Sequence, residues 1–593
     1  MKNLSYLNKY IIRYKWHYLT GTLFVAISVI FGIYPAQYIR LSFNEVEKVI
    51  HLYRSGAAID YHLLSTTLLW YAVVIIGSSV LKGAFTFFMR QTIIVASRRI
   101  EYDLKNEIYQ HYQKLPLAFY RQNSTGDLMN RISEDVSRVR MYIGPAVMYG
   151  INVVVTLAIV IPIMFSISAK LTFYVLLPLP VLSYVIYHVS RLINVRSELV
   201  QRKLSDLSTL AQETFSGIRV IKAFSKENFF AQLFAEASDE YSRVNEKLYK
   251  VNAMFMPLVM FLIGLSTLLI VYVGGMETLT GRLTTGNIAE FILYLNMLTW
   301  PVTSIGWVTS IVQRAEASQM RINEFLQTQP EIVNPTEKPF EFKGKIEFQN
   351  VTMVYPDSGV KALDNVSFTI EPGTTVGLVG KTGSGKSTVA ALILRQYDPT
   401  SGRILIDGQD LRTINLDDYR KNLGVVPQDG YLFSDTIYNN IAFGLDRPTD
   451  QIIHTSAEIA DLDANIRDFP KGYQTRVGER GITLSGGQKQ RTALARAIAR
   501  RPAMYILDDC LSAVDTETED RILRNIRQLT ANATTLIISH RISSIKDADK
   551  IIVLDHGRVV EQGTHQQLID AGGYYAQMYQ QQVQSAAQPV DLE

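Results

Sequence analysis

The first 320 or so residues alternate between long apolar runs and basic segments. Six runs of twenty or more residues contain no Asp, Glu, Lys or Arg. A helix of about 20 apolar residues crosses ~30 Å of hydrocarbon, and buried helices of soluble proteins rarely stay uncharged for so long. The pattern therefore predicts six transmembrane helices: Trp16–Ile39, His62–Leu81, Met141–Ala169, Leu171–Ser190, Val251–Met276 and Phe291–Gln313.

Basic residues distinguish two kinds of segment between these runs. Segments 90–140 and 191–250 carry nine and ten Lys or Arg residues, whereas 43–62, the turn around 170 and 277–290 carry two, one and one. Cytoplasmic loops of membrane proteins are enriched in Lys and Arg. We therefore expect a multi-pass protein of the cell inner (plasma) membrane with the basic segments and both termini in the cytoplasm.

The two basic segments are themselves patterned as helices. Without Gly or Pro clusters over fifty or more residues, they are expected to continue out of the membrane as helical hairpins. Less regular stretches at Phe119–Thr125 and Gln212–Ile218, next to Gly126 and Gly217, indicate the turns. Two prolines in the fourth run, Pro178 and Pro180, predict a kink there.

The pattern changes after the sixth run. Beyond a linker rich in Pro, Glu and Lys, short β-branched runs alternate with helical patterns, which is typical of an α/β domain with a largely parallel sheet. The predicted strands are Ile346–Phe348, Thr375–Val379, Arg403–Ile406, Leu423–Val426, Met504–Leu507, Thr535–Ile538 and Lys550–Leu554. The predicted organisation is a transmembrane domain (1–325), a linker (326–343), an α/β domain (344–580) and a polar, disordered tail (581–593).

Composition agrees with a two-part chain. The 593 residues are too many for one hydrophobic core. A net charge of +4 is small for this size and does not indicate a nucleic-acid partner. The single cysteine, Cys510, excludes an intrachain disulfide, which fits a domain in the reducing cytosol.

A glycine-rich string after the strand Thr375–Val379 carries the clearest chemistry. Its glycines allow backbone N–H groups to surround phosphates, and the next helix points its positive N-terminus at them. Lys386 would reach the β- and γ-phosphates of a nucleotide, and the Ser387 hydroxyl would bind Mg²⁺. The string is Gly380-Lys381-Thr382-Gly383-Ser384-Gly385-Lys386-Ser387, followed by Thr388.

A second apolar strand, Met504–Leu507, ends in Asp508. A carboxylate at the carboxyl end of such a strand suits a Mg²⁺ ion and its water shell. Together with the glycine-rich loop, Asp508 predicts an ATP- and Mg²⁺-binding site.

With these residues in place, the chain resembles the ATP-binding cassette (ABC) superfamily over nearly its whole length. The string Leu484-Ser485-Gly486-Gly487-Gln488 is similar to the signature sequence of that family. In the family, Ser485 and the following glycines would hold nucleotide bound to the opposite cassette, so one cassette per chain implies a dimer. Six spans placed before the cassette resemble the exporter half-transporters.

The resemblance also assigns roles to single residues. Tyr355 is similar to the aromatic residue that stacks on adenine, Gln428 to the glutamine that senses Mg²⁺ and the attacking water, and His540 to the switch histidine. By the same resemblance, the Phe119–Thr125 and Gln212–Ile218 stretches are coupling helices and Leu4–Lys15 is an interfacial elbow helix. Two further loops resemble family elements, the D-loop Ser512–Asp515 and an exporter-specific loop, Thr475–Gly481.

One position departs from the family. Where a catalytic glutamate normally follows the metal-binding aspartate, this chain has Asp509. Aspartate is one methylene shorter, so its carboxylate is withdrawn by about 1.5 Å, and misplacing a base by ~1 Å can lower a rate on the order of a hundredfold. Two interpretations follow, of which we favour the first: a heterodimer in which this chain holds the weak site and its partner a glutamate base, or a homodimer that hydrolyses ATP with Asp509.

The transported molecule is less well indicated. The spans carry few ionisable groups, and their aromatic and polar residues suit a cavity for amphipathic drugs or lipids. These residues are Tyr142, Tyr149, Tyr174, Tyr184, Tyr187, Asn296 and Trp300. A gated channel or a regulatory ATPase is the alternative class, although no added regulatory segment is evident in the sequence.

Overall fold

A computed structural model describes residues 2–56, 58–478, 484–512, 514–529 and 533–587. The chain forms two compact units. The membrane unit contains the residues up to Tyr112 together with Gly126–Thr328, and the cassette unit contains Gln113–Thr125 together with the chain from Gln329 onward.

The membrane unit is entirely helical over its described residues. A 3₁₀ turn, Asn3–Leu7, precedes the helices, and π turns at Arg131–Asp135 and Tyr142–Ala146 interrupt the third long helix. The helices are α1 (Asn8–Arg13), α2 (Lys15–Arg54), α3 (Tyr61–Tyr112), α5 (Thr125–Asn130), α6 (Val136–Met141), α7 (Val147–Ile167), α8 (Ala169–Leu176), α9 (Pro178–Ser216), α10 (Ile218–Ala223), α11 (Glu227–Leu279) and α12 (Thr285–Leu326), with α4 (Leu117–Gln122) belonging to the cassette unit.

Among the described residues, six helical segments are long and apolar enough to cross a membrane, which confirms the six predicted spans. They run from 40 to 53 residues. A 52-residue helix such as α3 measures about 78 Å, more than twice the ~30 Å of hydrocarbon, so it projects well beyond the membrane. At Pro178 the fourth segment is divided into α8 and α9 by Leu177, which itself has helical φ and ψ, and the kink stays a prediction.

The interior of the membrane unit is apolar around α12. Phe291, Leu295 and Leu298 are fully buried there. One ionic group lies among them. Glu290 is 0% exposed, pairs with Arg40 of α2 at 3.3 Å and accepts a hydrogen bond from the Tyr294 hydroxyl at 2.8 Å.

The cassette unit contains two sheets. Its strands are β1 (Ile346–Val354), β2 (Lys361–Ile370), β3 (Thr375–Val379), β4 (Ser401–Ile406), β5 (Gln409–Asp410), β6 (Leu423–Val426), β7 (Met504–Asp508), β8 (Thr534–Ile538), β9 (Lys550–Asp555) and β10 (Arg558–Gly563). Six strands, in the order β10-β9-β3-β8-β7-β6, form the predicted parallel sheet, with only β10 antiparallel. The other four form a separate antiparallel sheet in the order β2-β1-β4-β5.

This second sheet corrects two expectations. Strands β1 and β4 were expected in the parallel sheet but pair antiparallel with each other, Ile346 opposite Ile406. Strands β2, β5 and β10 were not predicted. The side chains of β10 alternate between exposed and half-buried, so it lacks the continuous apolar run that marks the buried parallel strands.

The helices of the cassette unit lie between and after these strands. They are α13 (Lys386–Ile393), α14 (Leu416–Lys421), α15 (Ile437–Ala442), α16 (Asp450–Ile459), α17 (Asp463–Arg467), α18 (Gly486–Ala499), α19 (Thr516–Leu529), α20 (His565–Asp570) and α21 (Tyr574–Ala587), with short 3₁₀ turns at Gly472–Gln474 and Ile542–Ser544. The last helix corrects the predicted disordered tail: residues 581–587 are helical, and residues 588–593 lie outside the described residues.

Candidate ATP site

Three neighbouring parallel strands bring the predicted site residues to one edge of the sheet. β3 pairs with β8, and β8 pairs with β7, so that Leu378 lies opposite Ile538 and Ile538 opposite Asp508. The carboxyl ends of parallel strands share one edge, where ligands of open α/β sheets bind. The glycine-rich loop, the two aspartates and His540 all follow these ends.

The glycine-rich loop has a backbone that other residues would not accept. Gly385 has φ +100° and caps the start of α13. A Cβ on Gly385 would collide with the Ala362 carbonyl, and one on Gly380 with the Leu554 carbonyl. These contacts explain why glycine stands at both positions, where the backbone must turn directly into a helix N-terminus.

Lys386 lies folded over this loop. Its Nζ donates to the carbonyl oxygens of Gly380 at 2.7 Å and Lys381 at 2.9 Å. Burial lowers the pKa of Lys386, while the nearby Asp508 and Asp509 act in the opposite direction. Beside it, the buried hydroxyl of Ser384 has no hydrogen-bond partner among the described residues. An unpartnered hydroxyl, an ammonium group and a helix N-terminus in one loop fit a bound polyphosphate.

Asp508 and Ser387 fit a magnesium ion. Asp508 ends β7, is 8% exposed and accepts a hydrogen bond from the Ser387 side chain. Burial raises the pKa of Asp508, and the adjacent Asp509 adds to this rise. No group of three or more His, Cys, Asp or Glu side chains that could hold a metal occurs in the described part of the chain. A single carboxylate with one hydroxyl suits Mg²⁺ held mainly through phosphate and water.

Asp509 and His540 form a pair. The Nδ1 of His540 lies 2.8 Å from Oδ1 of Asp509. Asp509 adopts a left-handed backbone with φ 47°, and its N–H donates to the Ile538 carbonyl at 2.8 Å. The Ile538 carbonyl therefore holds the main chain of Asp509, and the imidazole contacts its carboxylate.

Tyr355 has a neighbour that the sequence did not indicate. The guanidinium carbon of Arg121, in the last turn of α4, lies 5.3 Å from the centre of the Tyr355 ring and 5.7 Å from that of Tyr397. The Tyr355 and Thr388 hydroxyl oxygens are 2.9 Å apart. Arg121 and Tyr355 are more than two hundred positions apart in the chain, so no local pattern in the sequence predicts this cation–π contact.

These residues line one cavity of about 540 Å³. The residues around it include Tyr355, Thr382, Gly383, Gly385, Lys386, Ser387, Thr388, Gln428, Asp508, Asp509 and His540. The signature residues are not among them. Ser485 instead caps α18, accepting from the Gln488 N–H at 3.3 Å while the Ser485 N–H donates to the Gln488 side chain at 3.0 Å, and Gly486 and Gly487 form the first turn of that helix.

The two remaining loops are described only in part. In the D-loop, Ser512 accepts from Gln490 of α18 at 3.1 Å and donates to the Asp509 carbonyl at 3.1 Å, whereas Ala513 lies outside the described residues. In the exporter-specific loop, Arg476 forms an isolated antiparallel β-bridge with Thr436. Glu479, Arg480 and Gly481 of this loop lie outside the described residues.

Six membrane-length helices in one unit and a phosphate-binding α/β fold in the other define a membrane transporter subunit with an ATPase domain. Two family models match the chain: "ABC transporter transmembrane region" at residues 17–302 and "ABC transporter" at residues 363–512.

Individual proteins agree with this class. The chain is 35% identical over 541 residues to the multidrug resistance-like ATP-binding protein MdlA of Escherichia coli (strain K12), covering 91% of this chain and 92% of that one. It is 34% identical to the ATP-dependent lipid A-core flippase of Syntrophus aciditrophicus (strain SB), covering 86% and 85%. A bacterial Atm1-family ABC exporter with ATP bound matches with a TM-score of 0.78 and 27% identity, covering 97% and 99%. The chain belongs to the ABC transporter family, as an exporter whose ATPase activity is coupled to transport.

Proposed function

We propose that this chain is one half of a heterodimeric exporter that uses ATP to move amphipathic or hydrophobic small molecules, drug-like compounds or lipids, out of the cytoplasmic side of the inner membrane. In this proposal the chain supplies the weaker of two ATP sites. The observation that carries it is the division of the site: Asp509 stands beside His540 in the cavity, while Ser485 lies outside it.

The roles within the cavity follow from this division. Lys386 and the loop around it bind the phosphates of ATP, and Tyr355 stacks on the adenine. Asp508, Ser387 and Gln428 would hold Mg²⁺, which would neutralise charge on the transferred phosphoryl group. Asp509 orients water for attack but reaches less far than glutamate.

The His540 imidazole lies within hydrogen-bonding distance of the Asp509 carboxylate and orients it. Ser485 of this chain completes the cavity of a partner, together with Gly486, Gly487 and Gln488. ATP binding would thereby draw two cassettes together and turn the cavity between the membrane units outward, and hydrolysis would reset it.

An exposed apolar tip supports a dimer. At the second cytosolic turn, Phe215 and Phe224 are 74% and 73% exposed, and Val220 between them is 61% exposed. Large apolar side chains clustered in this way on a cytosolic tip mark an interaction surface. Exporters of this family act as dimers in the membrane, and we propose that this tip contacts a second half-transporter chain.

The class of substrate rests on the membrane unit and on the relatives. Tyr184, Tyr187 and Trp300 are 65%, 49% and 63% exposed on apolar spans. Aromatic groups on spans that carry few ionisable residues suit amphipathic molecules. One relative carries a multidrug name and another a lipid flippase name, so both drugs and lipids are candidates.

The test is transport by the assembled complex in vesicles. The full chain would be isolated through a tag together with whatever partner co-purifies, and reconstituted. We expect ATP-dependent movement of a fluorescent lipid or of the dye Hoechst 33342, lost in Lys386→Ala. ATP turnover with movement of neither probe would favour a regulatory ATPase, a conductance without ATP use would favour a channel, and robust turnover by a single type of chain would favour the homodimer.

A further inference from the structure

The C-terminal helix α21 is fixed to the rest of the cassette unit at its start. The N–H groups of Tyr574 and Tyr575 donate to the Glu561 carboxylate of β10 at 2.6 and 2.9 Å. The Tyr575 side chain is fully buried, and the Lys381 ammonium of the glycine-rich loop lies 5.5 Å above the Tyr574 ring. The helix therefore begins next to the phosphate-binding loop.

Two turns later, one side chain of α21 reaches the other side of the site. The Gln582 Nε2 donates to the main-chain carbonyl of His540 at 2.7 Å, and the Ile542 N–H donates to Gln582 Oε1 at 2.9 Å. Both polar atoms of one amide are thus used on peptide groups two residues apart. These bonds span the short turn that carries the imidazole.

The turn has few other constraints at His540 itself. The next residue, Arg541, is tied through its side chain to Glu519 at 2.8 Å and to the Ser512 carbonyl at 3.3 Å. Its N–H, which belongs to the same peptide group as the His540 carbonyl, donates to the Ser539 hydroxyl at 2.9 Å. The His540 side chain is 48% exposed, and its recorded polar partner is Asp509. Gln582 thus holds the main-chain carbonyl of His540.

We propose that Gln582 is a positioning residue for ATP hydrolysis: its amide fixes the peptide groups of His540 and Ile542 and so keeps the imidazole in hydrogen-bonding distance of Asp509. This proposal rests on the proposed function, because it presumes that His540 and Asp509 act on ATP. Gln582 is not among the residues that line the cavity.

The chemistry of an amide explains the choice of glutamine here. It offers one donor and one acceptor about 2.2 Å apart, matching a carbonyl and an N–H on the same turn. Methionine would keep the length and helix propensity but remove both bonds. Glutamate would keep the acceptor for the Ile542 N–H but place a negative charge against the His540 carbonyl, so it should be more harmful than methionine.

The test compares Gln582→Met with Gln584→Ala in the full chain within the assembled transporter. Gln584 is exposed on the same helix and serves as the matched control. Single-turnover hydrolysis at this chain's site would be monitored by photolabelling with 8-azido-ATP. Each variant would be measured alone and in combination with Asp509→Glu. We expect Gln582→Met to slow hydrolysis about tenfold, since misplacement by ~1 Å can cost up to a hundredfold. ATP affinity and melting temperature should match those of the control.

The double variant with His540→Ala decides whether Gln582 acts through the histidine. If it does, Gln582→Met should add less than a twofold loss to His540→Ala, because residues that act as a unit are not additive. A further tenfold loss in that background, or unchanged hydrolysis in Gln582→Met, would overturn the proposal. If Lys386→Ala left labelling of this chain intact, the proposed function would fail instead.

Discussion

Replacing Asp509 by glutamate should raise ATP hydrolysis at this chain's site while costing some stability. In the structure the carboxylate of Asp509 is 2.8 Å from His540, and its side chain is 16% exposed. A glutamate side chain adds one C–C bond, so its carboxylate would advance about 1.5 Å toward the phosphate-binding loop.

The expected gain follows from that distance. A base must come within about 2.6–3.2 Å of the proton that it takes. An error of ~1 Å can cost on the order of a hundredfold, so we expect a ten- to hundredfold increase in single-turnover rate. ATP affinity should stay within about twofold, because the binding residues Lys386 and Tyr355 are unchanged.

The expected cost follows from the backbone. Asp509 has φ 47°, a left-handed conformation in which aspartate is favoured over glutamate. The substitution should therefore destabilise the chain by up to about 1 kcal/mol, from the left-handed penalty of ~1–2 kcal/mol that aspartate partly avoids.

The assay is single-turnover hydrolysis by the assembled transporter, with nucleotide trapped on this chain resolved from that on its partner. Asp509→Asn, which keeps the length of aspartate but removes the base, is the matched control and should be slower than wild type. An unchanged or lower rate for Asp509→Glu, with ATP binding intact, would refute the argument that carboxylate reach limits this site.

Three further substitutions test other parts of the structure. Because burial raises the pKa of Asp508, its ionised form disfavours the folded state at neutral pH. The substitution Asp508→Asn should therefore stabilise the chain at pH 7 by on the order of 0.5–2 kcal/mol, the usual range for single stabilising changes. It should also abolish Mg²⁺-dependent hydrolysis. The gain in melting temperature should vanish below about pH 4, near the ordinary pKa of aspartate, where the unfolded chain is protonated too; a gain that persists there would contradict this cause. Arg121→Ala removes the guanidinium over Tyr355 and should weaken ATP binding by about two- to fivefold, consistent with ~0.5–1 kcal/mol for an exposed cation–π contact, whereas Arg121→Lys should lose less affinity. Equilibrium binding of a fluorescent ATP analogue measures both variants. Equal affinity in the wild type and both variants would show that the contact does not contribute to ATP binding. Arg40→Ala leaves Glu290 charged and fully buried and should destabilise the membrane unit by about 3–5 kcal/mol. Adding Glu290→Gln should restore most of that stability in thermal unfolding. No restoration would mean that Arg40 does not stabilise the unit through its ion pair with Glu290.

The sequence predicted the elements whose signals are local. The six spans, the strands β3, β6, β7, β8 and β9, and the glycine-rich loop each follow from a continuous run or a short string. The chain position of Asp508 at the end of β7 was equally visible. In these cases a few neighbouring residues decide the structure.

What was missed depends on contacts between distant residues. β2 contains Lys361 and Asp364 and becomes a strand by pairing with β1, so its own pattern is weak. The polar composition of residues 581–593 predicted disorder, yet residues 581–587 continue α21, and the Gln582 amide accepts from the Ile542 N–H forty residues earlier in the chain. The Arg121–Tyr355 contact joins α4 to the cassette core across 234 positions of chain, a pairing that no periodicity reveals.

The central claim is that this chain contributes Lys386 to one ATP site and Ser485 to the other, with the partner chain completing both sites. The direct measurement is photolabelling with 8-azido-ATP and vanadate trapping in the assembled transporter, with this chain distinguished from its partner by a size tag. The account predicts that Ser485→Arg removes trapped nucleotide from the partner polypeptide and leaves this chain labelled, and that Lys386→Ala does the reverse. Loss of label from this chain itself in Ser485→Arg, with the partner still labelled, would contradict it.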